Sequence, residues 1–435
     1  MTLTSQSDSH FPASSESGIR SQTVIEGAMN PKSMYMGRAS FGEFISLIAM
    51  MSCLVALSID AMLPALPAIG QDLKVTGAND AQLVISALFI GISIGPLFLG
   101  PLSDSIGRKR AIYIGLSIFT LGTLLCLFAQ NFEQMLVGRA LQGFGAAGPR
   151  IVSIAMVRDQ FVGASMARVM SFVTAVFIVV PAVAPSVGQL ILLVSDWRGI
   201  FAFFLLLTAI ILVWFAFRQD ESLPVEKRKP YRVRQVVQSI KAVLSVRSTV
   251  LYALATGFLF GGFLGYLSSA QQVFQNLYGT GEWFPIYFAV LALGFGCASV
   301  VNGKMVLKHG TETMSGVAIK FLQGFAWTLL ASVVIWQGIP PFIWFMVLAG
   351  GIFMSVAVVF GNLNAMAMQP LGNYAGVGAA VVSAISTLVS LPLGVLVGQS
   401  YNDTVVPLAL GFTLYSFVAW MLMRAANRQK RLANA

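Results

Sequence analysis

Gly100-Pro101-Leu102-Ser103-Asp104-Ser105-Ile106-Gly107-Arg108-Lys109-Arg110 is the stretch that decides the fold. An apolar run of membrane-spanning length lies on either side of it. Gly100 and Gly107 permit close helix packing and a sharp turn. Asp104 can cap the next helix or pair with a basic residue. Arg108, Lys109 and Arg110 mark the cytoplasmic face of a chain embedded in lipid.

Composition supports that setting. The 435 residues are 57% hydrophobic and 10% charged, with a mean hydropathy of +0.79. Soluble domains carry roughly 25% charged residues. Runs such as 112–129 and 201–217 approach the ~20 residues that cross ~30 Å of hydrocarbon. Backbone groups in lipid must pair internally, so these runs are predicted to be helices.

The net charge is +10 and the pI about 9.7. In a soluble protein this would suggest nucleic acid. Here the basic residues fall in alternate loops, with no folded domain to present them, so no nucleic-acid partner is expected. The basic loops hold Arg108 to Arg110, Arg158 and Arg168, the segment 218–247, Lys304 and Lys308, and Arg424, Arg428, Lys430 and Arg431. The intervening loops hold little beyond Lys74 and Arg198. By the positive-inside rule both termini are cytoplasmic.

Roughly twelve spans are predicted, centred near Cys53, Gly91, Phe119, Gly145, Phe177, Leu207, Leu259, Leu293, Trp327, Phe353, Ile385 and Tyr415. The expected organisation is a polar, disordered cytoplasmic tail (1–42), a six-helix bundle (43–217), a basic cytoplasmic linker (218–248), a second six-helix bundle (249–424) and a short cytoplasmic tail (425–435). The first forty residues lack the apolar core of a secretory signal. The halves read as repeats. Asn302-Gly303-Lys304-Met305-Val306-Leu307-Lys308-His309-Gly310 after span eight is a worn copy of the stretch after span two.

The stretch 100–110 resembles the G-x-L-a-D-r-x-G-R-r/k signature between the second and third helices of the major facilitator superfamily. That resemblance implies an all-α membrane protein of twelve transmembrane helices in two pseudo-symmetric bundles, with a substrate site between them near the midplane. It also implies that Gly100, Asp104, Gly107, Arg108 and Lys109 form a gating latch that holds one conformation and breaks in the other. A purely topogenic basic loop is the plainer alternative.

Span four carries Gly138-Arg139-Ala140-Leu141-Gln142-Gly143-Phe144-Gly145-Ala146-Ala147, similar to the facilitator motif R-x-x-q-G-x-g-a-a. An arginine in a lipid-spanning helix costs several kcal/mol unless it is paired or faces water, so Arg139 points inward. The resemblance implies a role in proton coupling; a structural ion pair or backbone clamp is the alternative. Gly143 to Gly148 also fits G-x-G-x-x-G, but it lies mid-helix and follows no strand, so no dinucleotide is expected. Arg150 lies about three turns beyond Arg139 on the same face. It either meets an anionic or carbonyl group of a substrate or pairs with a polar wall.

Asp60 is the carboxylate placed deep within a span. Ser58-Ile59-Asp60-Ala61-Met62-Leu63-Pro64-Ala65-Leu66-Pro67 resembles the first-helix S-I-D-x-Y-L-P-A-L-P of the Bcr/CflA subfamily of drug exporters, with Met62 in place of the usual tyrosine. A carboxylate so placed can exchange protons in the working pH range. Asp60 and Arg139 are expected at one depth, trading partners as a proton arrives, or else forming a fixed structural pair. Span five, with Pro181, Pro185 and Gly188, resembles the antiporter motif G-x-x-x-G-P-x-x-G-G. Ala184 and Gln189 stand where that motif has glycine. Its proline and glycine permit a kinked, closely packed helix, and the resemblance favours export over uptake.

The second half shows no deep acid. Phe263, Tyr266, Gln271 and Asn362, with Asn364 and Met366, are expected to line an aromatic, amide and Met-rich cavity wall suited to lipophilic molecules. Ordinary helix packing is the alternative for each.

No P-loop sequence appears, so no ATP-driven motor is expected. Cys53, Cys126 and Cys297 are far apart in apolar helices, and His10 and His309 have no ligand-like neighbours. No metal, no cofactor and no enzymatic activity are expected. The function implied by the resemblance is proton-coupled efflux of drug-like molecules across the bacterial inner membrane by a monomer. Its partners are a small-molecule substrate, protons and membrane lipid. A narrow metabolite exporter or importer, or a non-transporting receptor or scaffold, remain the alternatives.

Overall fold

The computed structural model describes residues 39–77, 79–161, 163–228 and 233–434. Most of the polar tail expected over 1–42 lies outside them, as do Lys229 and Arg232 of the linker. The described residues are helical, without strands.

Ser40 opens the first helix with a reciprocal capping box. Its hydroxyl accepts from the Glu43 N–H (3.3 Å), and Glu43 accepts from the Ser40 N–H (2.7 Å). The first bundle contains α1 (Phe41–Asp60), the short α2 (Leu66–Asp72), α3 (Leu83–Ile106), α4 (Arg108–Leu127), α5 (Phe132–Gln160), α6 (Gly163–Val194) and α7 (Arg198–Arg218). A linker helix α8 (Val233–Ser245) follows. The second bundle contains α9 (Arg247–Gln271), α10 (Phe284–His309), α11 (Thr311–Ile335), α12 (Phe342–Met368), α13 (Ala375–Gln399) and α14 (Val406–Asn434). The final helix runs on through the segment expected as a tail. Every predicted span centre falls within one of the twelve long helices of the two bundles.

Among the described residues, ten helical segments are long and apolar enough to cross a membrane, and Val179–Val194 adds a shorter apolar stretch in α6. The 29-residue α5 is not among them. Its arginines lower its hydropathy, and its place in the bundle allows this. It packs against α3, α4 and α1, so protein rather than lipid surrounds its polar side chains.

Two features express the repeat. Gly107 breaks the chain between α3 and α4 with φ +104° and ψ 157°, and Gly310 breaks it between α10 and α11 with φ +79° and ψ 156°. That backbone region is essentially restricted to glycine. Between the bundles, α3 packs on α13 and α6 on α10. The second helix of each half therefore meets the fifth of the other, as a pseudo-two-fold axis requires.

Candidate site at the seam between the bundles

The turn at Gly107 brings three acids to one arginine. The Arg108 side chain is buried and donates Nη1 to Ser103 Oγ (2.7 Å) and to Asp104, and Nε to Asp159 Oδ2 (2.9 Å). Glu221, from the linker, accepts from the N–H groups of Arg108 (2.8 Å) and Lys109 (3.2 Å). A carboxylate there meets the unpaired donors at the start of α4 and the positive end of its dipole. Lys109 Nζ reaches the Ala216 carbonyl (3.2 Å). A Cβ on Gly107 would lie 3.0 Å from the Glu221 carboxyl carbon and 3.1 Å from the Arg228 guanidinium. These bonds join α3, α4, α5 and the linker. Sequence reading found Asp104, Gly107, Arg108 and Lys109 but missed Asp159 and Glu221. Their signal, isolated acids beside basic residues, is common to many loops.

Small residues let α5 approach its neighbours at backbone distance. A Cβ on Gly143 would sit 2.9 Å from the Leu88 carbonyl carbon of α3, and one on Gly145 2.7 Å from the Gly115 oxygen of α4. Arg139, with no exposed surface, threads this contact. Its Nη2 donates to the Ser58 carbonyl (2.7 Å), Nε to the Val84 carbonyl (3.2 Å) and Nη1 to Gln142 Oε1 (2.6 Å). Gln142 passes the chain on to Thr123 Oγ1 (3.0 Å). One guanidinium thus ties α1, α3, α4 and α5 together.

The expected Asp60–Arg139 ion pair is not formed. The α-helical turns of α1 end at Asp60, where the chain tightens into the 3-10 turn Leu63–Ala65 containing Pro64. Carbonyls of a last helical turn lack intrahelical partners and carry the negative end of the dipole. The Ser58 carbonyl therefore takes the guanidinium. The Asp60 carboxylate, in a residue only 5% exposed, accepts no hydrogen bond. The Leu63–Ala65 turn that follows it meets α9 of the other bundle. The same turn is held from behind by α6, where a Cβ on Gly188 would come 2.9 Å from the Ala61 carbonyl carbon. Helix α6 continues through both Pro181 and Pro185.

Tyr266 is buried in rings. Its centroid lies 4.6 Å from that of Phe353 in a T-shaped contact and 5.9 Å from that of Phe288 in a stacked one. Its hydroxyl has no hydrogen-bond partner. Phe263 lies beside it, and Phe260 of α9 meets Phe89 of α3 across the seam at 5.8 Å. Met62 and Met366 are buried. Asn362 is engaged within its own bundle: it and Asn302 of α10 exchange two amide hydrogen bonds (3.0 and 3.1 Å). Gln271 donates to Gln275 Oε1 (2.8 Å). Arg150 is half-buried on α5, below Arg139 and next to the buried Pro149.

A neutral clasp joins the bundles at the end away from the basic loops. Asn79 donates to the carbonyls of Gln399 (2.9 Å) and Tyr401 (3.0 Å), and Gln399 returns a bond to the Asn79 carbonyl (3.0 Å). Gln272, the first residue of a π-helical turn (Gln272–Leu277), donates to Asn79 Oδ1 (2.8 Å) and accepts from Gln82. None of these residues stood out in the sequence. Uncharged amides in short loops carry no pattern of their own.

Two six-helix bundles of one plan, meeting along a seam that holds a buried acid, define a membrane transporter of the two-repeat kind. The family model of the Major Facilitator Superfamily matches residues 48–426. The chain belongs to that superfamily. It is 30% identical over 366 residues to the uncharacterized MFS-type transporter YdgK of Bacillus subtilis (strain 168), covering 83% of this chain and 90% of that one. It is 28% identical over 397 residues to a bicyclomycin resistance protein homolog of Haemophilus influenzae, covering 89% and 98%. A 145-residue segment, 33% of this chain and 36% of the relative, is 38% identical to the multidrug resistance protein MdtL of Klebsiella pneumoniae (strain 342). Among solved structures, the human organic anion transporter MFSD10 superposes with a TM-score of 0.67 at 15% identity, covering 88% of this chain and 99% of that one. A D-xylose-proton symporter does so with 0.67 at 17%, covering 89% and 97%. These two likenesses show the fold.

Proposed function

We propose that this chain exports drug-like or amphipathic small molecules across the bacterial inner membrane in exchange for protons, working as a monomer by alternating access. Both termini and the basic loops face the cytoplasm, following the charge bias of the loops. The relatives named for bicyclomycin and multidrug resistance support the substrate class.

Asp60 carries the reading. It is a buried carboxylate without a hydrogen-bond donor, at the seam where α9 of the second bundle meets the Leu63–Ala65 turn that follows it. A buried, unpaired carboxylate anion costs several kcal/mol. Gain or loss of its proton therefore biases the equilibrium between arrangements of the bundles that surround it differently. A proton arriving from outside neutralises Asp60 and favours return to the inward-open arrangement; substrate leaves on the opposite swing. Arg139 positions the acid by gripping the Ser58 carbonyl two residues before it. Met62, Phe263 and Tyr266 supply the apolar wall for substrate, and Arg150 supplies a cation below it. Gln271 and Asn362 shape that wall through their bonds to Gln275 and Asn302. The Arg108 cluster serves as the cytoplasmic latch and the Asn79 clasp as its counterpart on the far side.

The test is transport in proteoliposomes under an imposed pH gradient, with lipophilic cations, neutral compounds and anions, wild type beside Asp60→Asn. Gradient-driven movement that disappears in the variant is expected. Movement that survives in a normally folded variant would place the proton site elsewhere. No flux of any compound would refute drug export.

A further inference from the structure

A second site lies far from the seam, between the first turns of α11 and the last turns of α14. These helices pack against each other and leave a groove of about 780 Å³. It is lined by Glu312, Val317, Lys320, Trp420, Arg424 and Arg428, among others. Three cations thus face one carboxylate.

The groove is built for a head and a tail together. Lys320 is an exposed lysine inside an apolar span. It lies nine residues past the start of α11, about 13 Å along the axis. Its flexible stem lets the ammonium rise to headgroup level. The Arg424 guanidinium stacks over the Trp420 ring at 3.9 Å, which holds the arginine at the groove and leaves an amphipathic ring of the kind that settles at a membrane interface. Val317 lines the groove itself, and apolar side chains continue the same faces toward mid-membrane: Phe321 on α11, Phe417 and Met421 on α14, all exposed. A free anion would need the cations alone and has no use for that apolar track.

We propose that this groove binds an anionic phospholipid of the cytoplasmic leaflet, its phosphate held by Lys320, Arg424 and Arg428 and its acyl chains laid along Val317, Phe321, Phe417 and Met421. The inference rests on the membrane orientation given above, but not on the identity of the transported substrate. Basic pockets between spans on the cytoplasmic side are the general form of such recognition.

Quenching of tryptophan fluorescence tests it on the purified full chain. Brominated phosphatidylglycerol and brominated phosphatidylcholine are titrated separately. The chain has seven tryptophans, so the Trp420 signal is taken as the difference between wild type and Trp420→Phe. The anionic lipid should quench that component at a lower mole fraction, by roughly fivefold for each cation. Arg424→Gln/Arg428→Gln should lose most of the preference, and Arg424→Lys, which keeps the charge, should retain it. Equal quenching by the two lipids in wild type, or an unchanged preference in a folded double variant, would overturn the proposal. Reversal of the quenching by millimolar inorganic phosphate would assign the site to a free anion and also overturn it. Asp60→Asn should keep the lipid preference intact, so this proposal and the transport reading fail separately.

Discussion

Gly107 and Gly310 turn the chain at matching places in the two bundles, with nearly the same backbone angles, and what surrounds them differs. Around Gly107 stand Asp104, Arg108, Asp159 and Glu221, bonded through Arg108, with Arg228 in a longer ion pair to Glu221 (3.9 Å). Around Gly310 a Cβ would meet nothing within 4 Å, and the last turns of α10 before it hold Lys304, Lys308 and His309 with no carboxylate among them. The contrast continues inward. The first bundle is laced by a buried arginine that binds two neighbouring helices directly and a third through Gln142, and its helices approach backbone to backbone at glycines. The second is filled by rings around Tyr266 and Phe353, with a neutral Asn302–Asn362 pair as its polar contact between α10 and α12. One plan thus supports a half laced by polar side chains and a half filled by aromatic rings. The buried Asp60 belongs to the first, and the ring cluster around Tyr266 to the second.

Removing the arginine should break this contrast most severely. Arg139→Leu deletes the bonds to the Ser58 and Val84 carbonyls and to Gln142, leaving buried acceptors without donors. A loss of about 3–5 kcal/mol is expected, read as a large drop in Tm of the purified protein in detergent. A small drop would mean that packing, not the guanidinium, holds the first bundle.

The amide pair of the second bundle should cost less. Asn362→Leu strands the Asn302 amide and is expected to lose about 1–3 kcal/mol. Asn302→Leu/Asn362→Leu should recover part of that loss, because both partners become apolar. A double variant that melts below the single one would show that the pair does more than satisfy itself.

The difference between the two glycines is the smallest effect and the sharpest comparison. Gly107→Ala and Gly310→Ala impose similar backbone strain, about 1–3 kcal/mol each. Only at Gly107 does the new methyl also crowd Glu221 and Arg228. Its Tm should fall further than that of Gly310→Ala, by about 1 kcal/mol of added crowding. Equal losses would mean that the linker carboxylate gives way freely.

Much of the fold was legible in the chain. The apolar runs and their basic loops placed the helices, and even α5, too polar to pass as a span by hydropathy, was marked by its arginine and glycine pattern. The turn glycines and the repeat were equally visible, since backbone freedom is a property of the residue itself. Part of the site was legible too: Asp60 and Arg139 stood out because ionisable groups are rare and costly in lipid.

Sequence therefore determined which helices form, which residues are buried and where charge enters the membrane, because hydropathy, periodicity and glycine act locally. Only the tertiary structure decided the partners. It gave Arg139 to the Ser58 carbonyl instead of Asp60, brought Asp159 and Glu221 to Arg108, and closed Asn302 on Asn362. Each of these contacts depends on where a helix ends and which neighbour packs against it, and residues far apart in the chain settle that together.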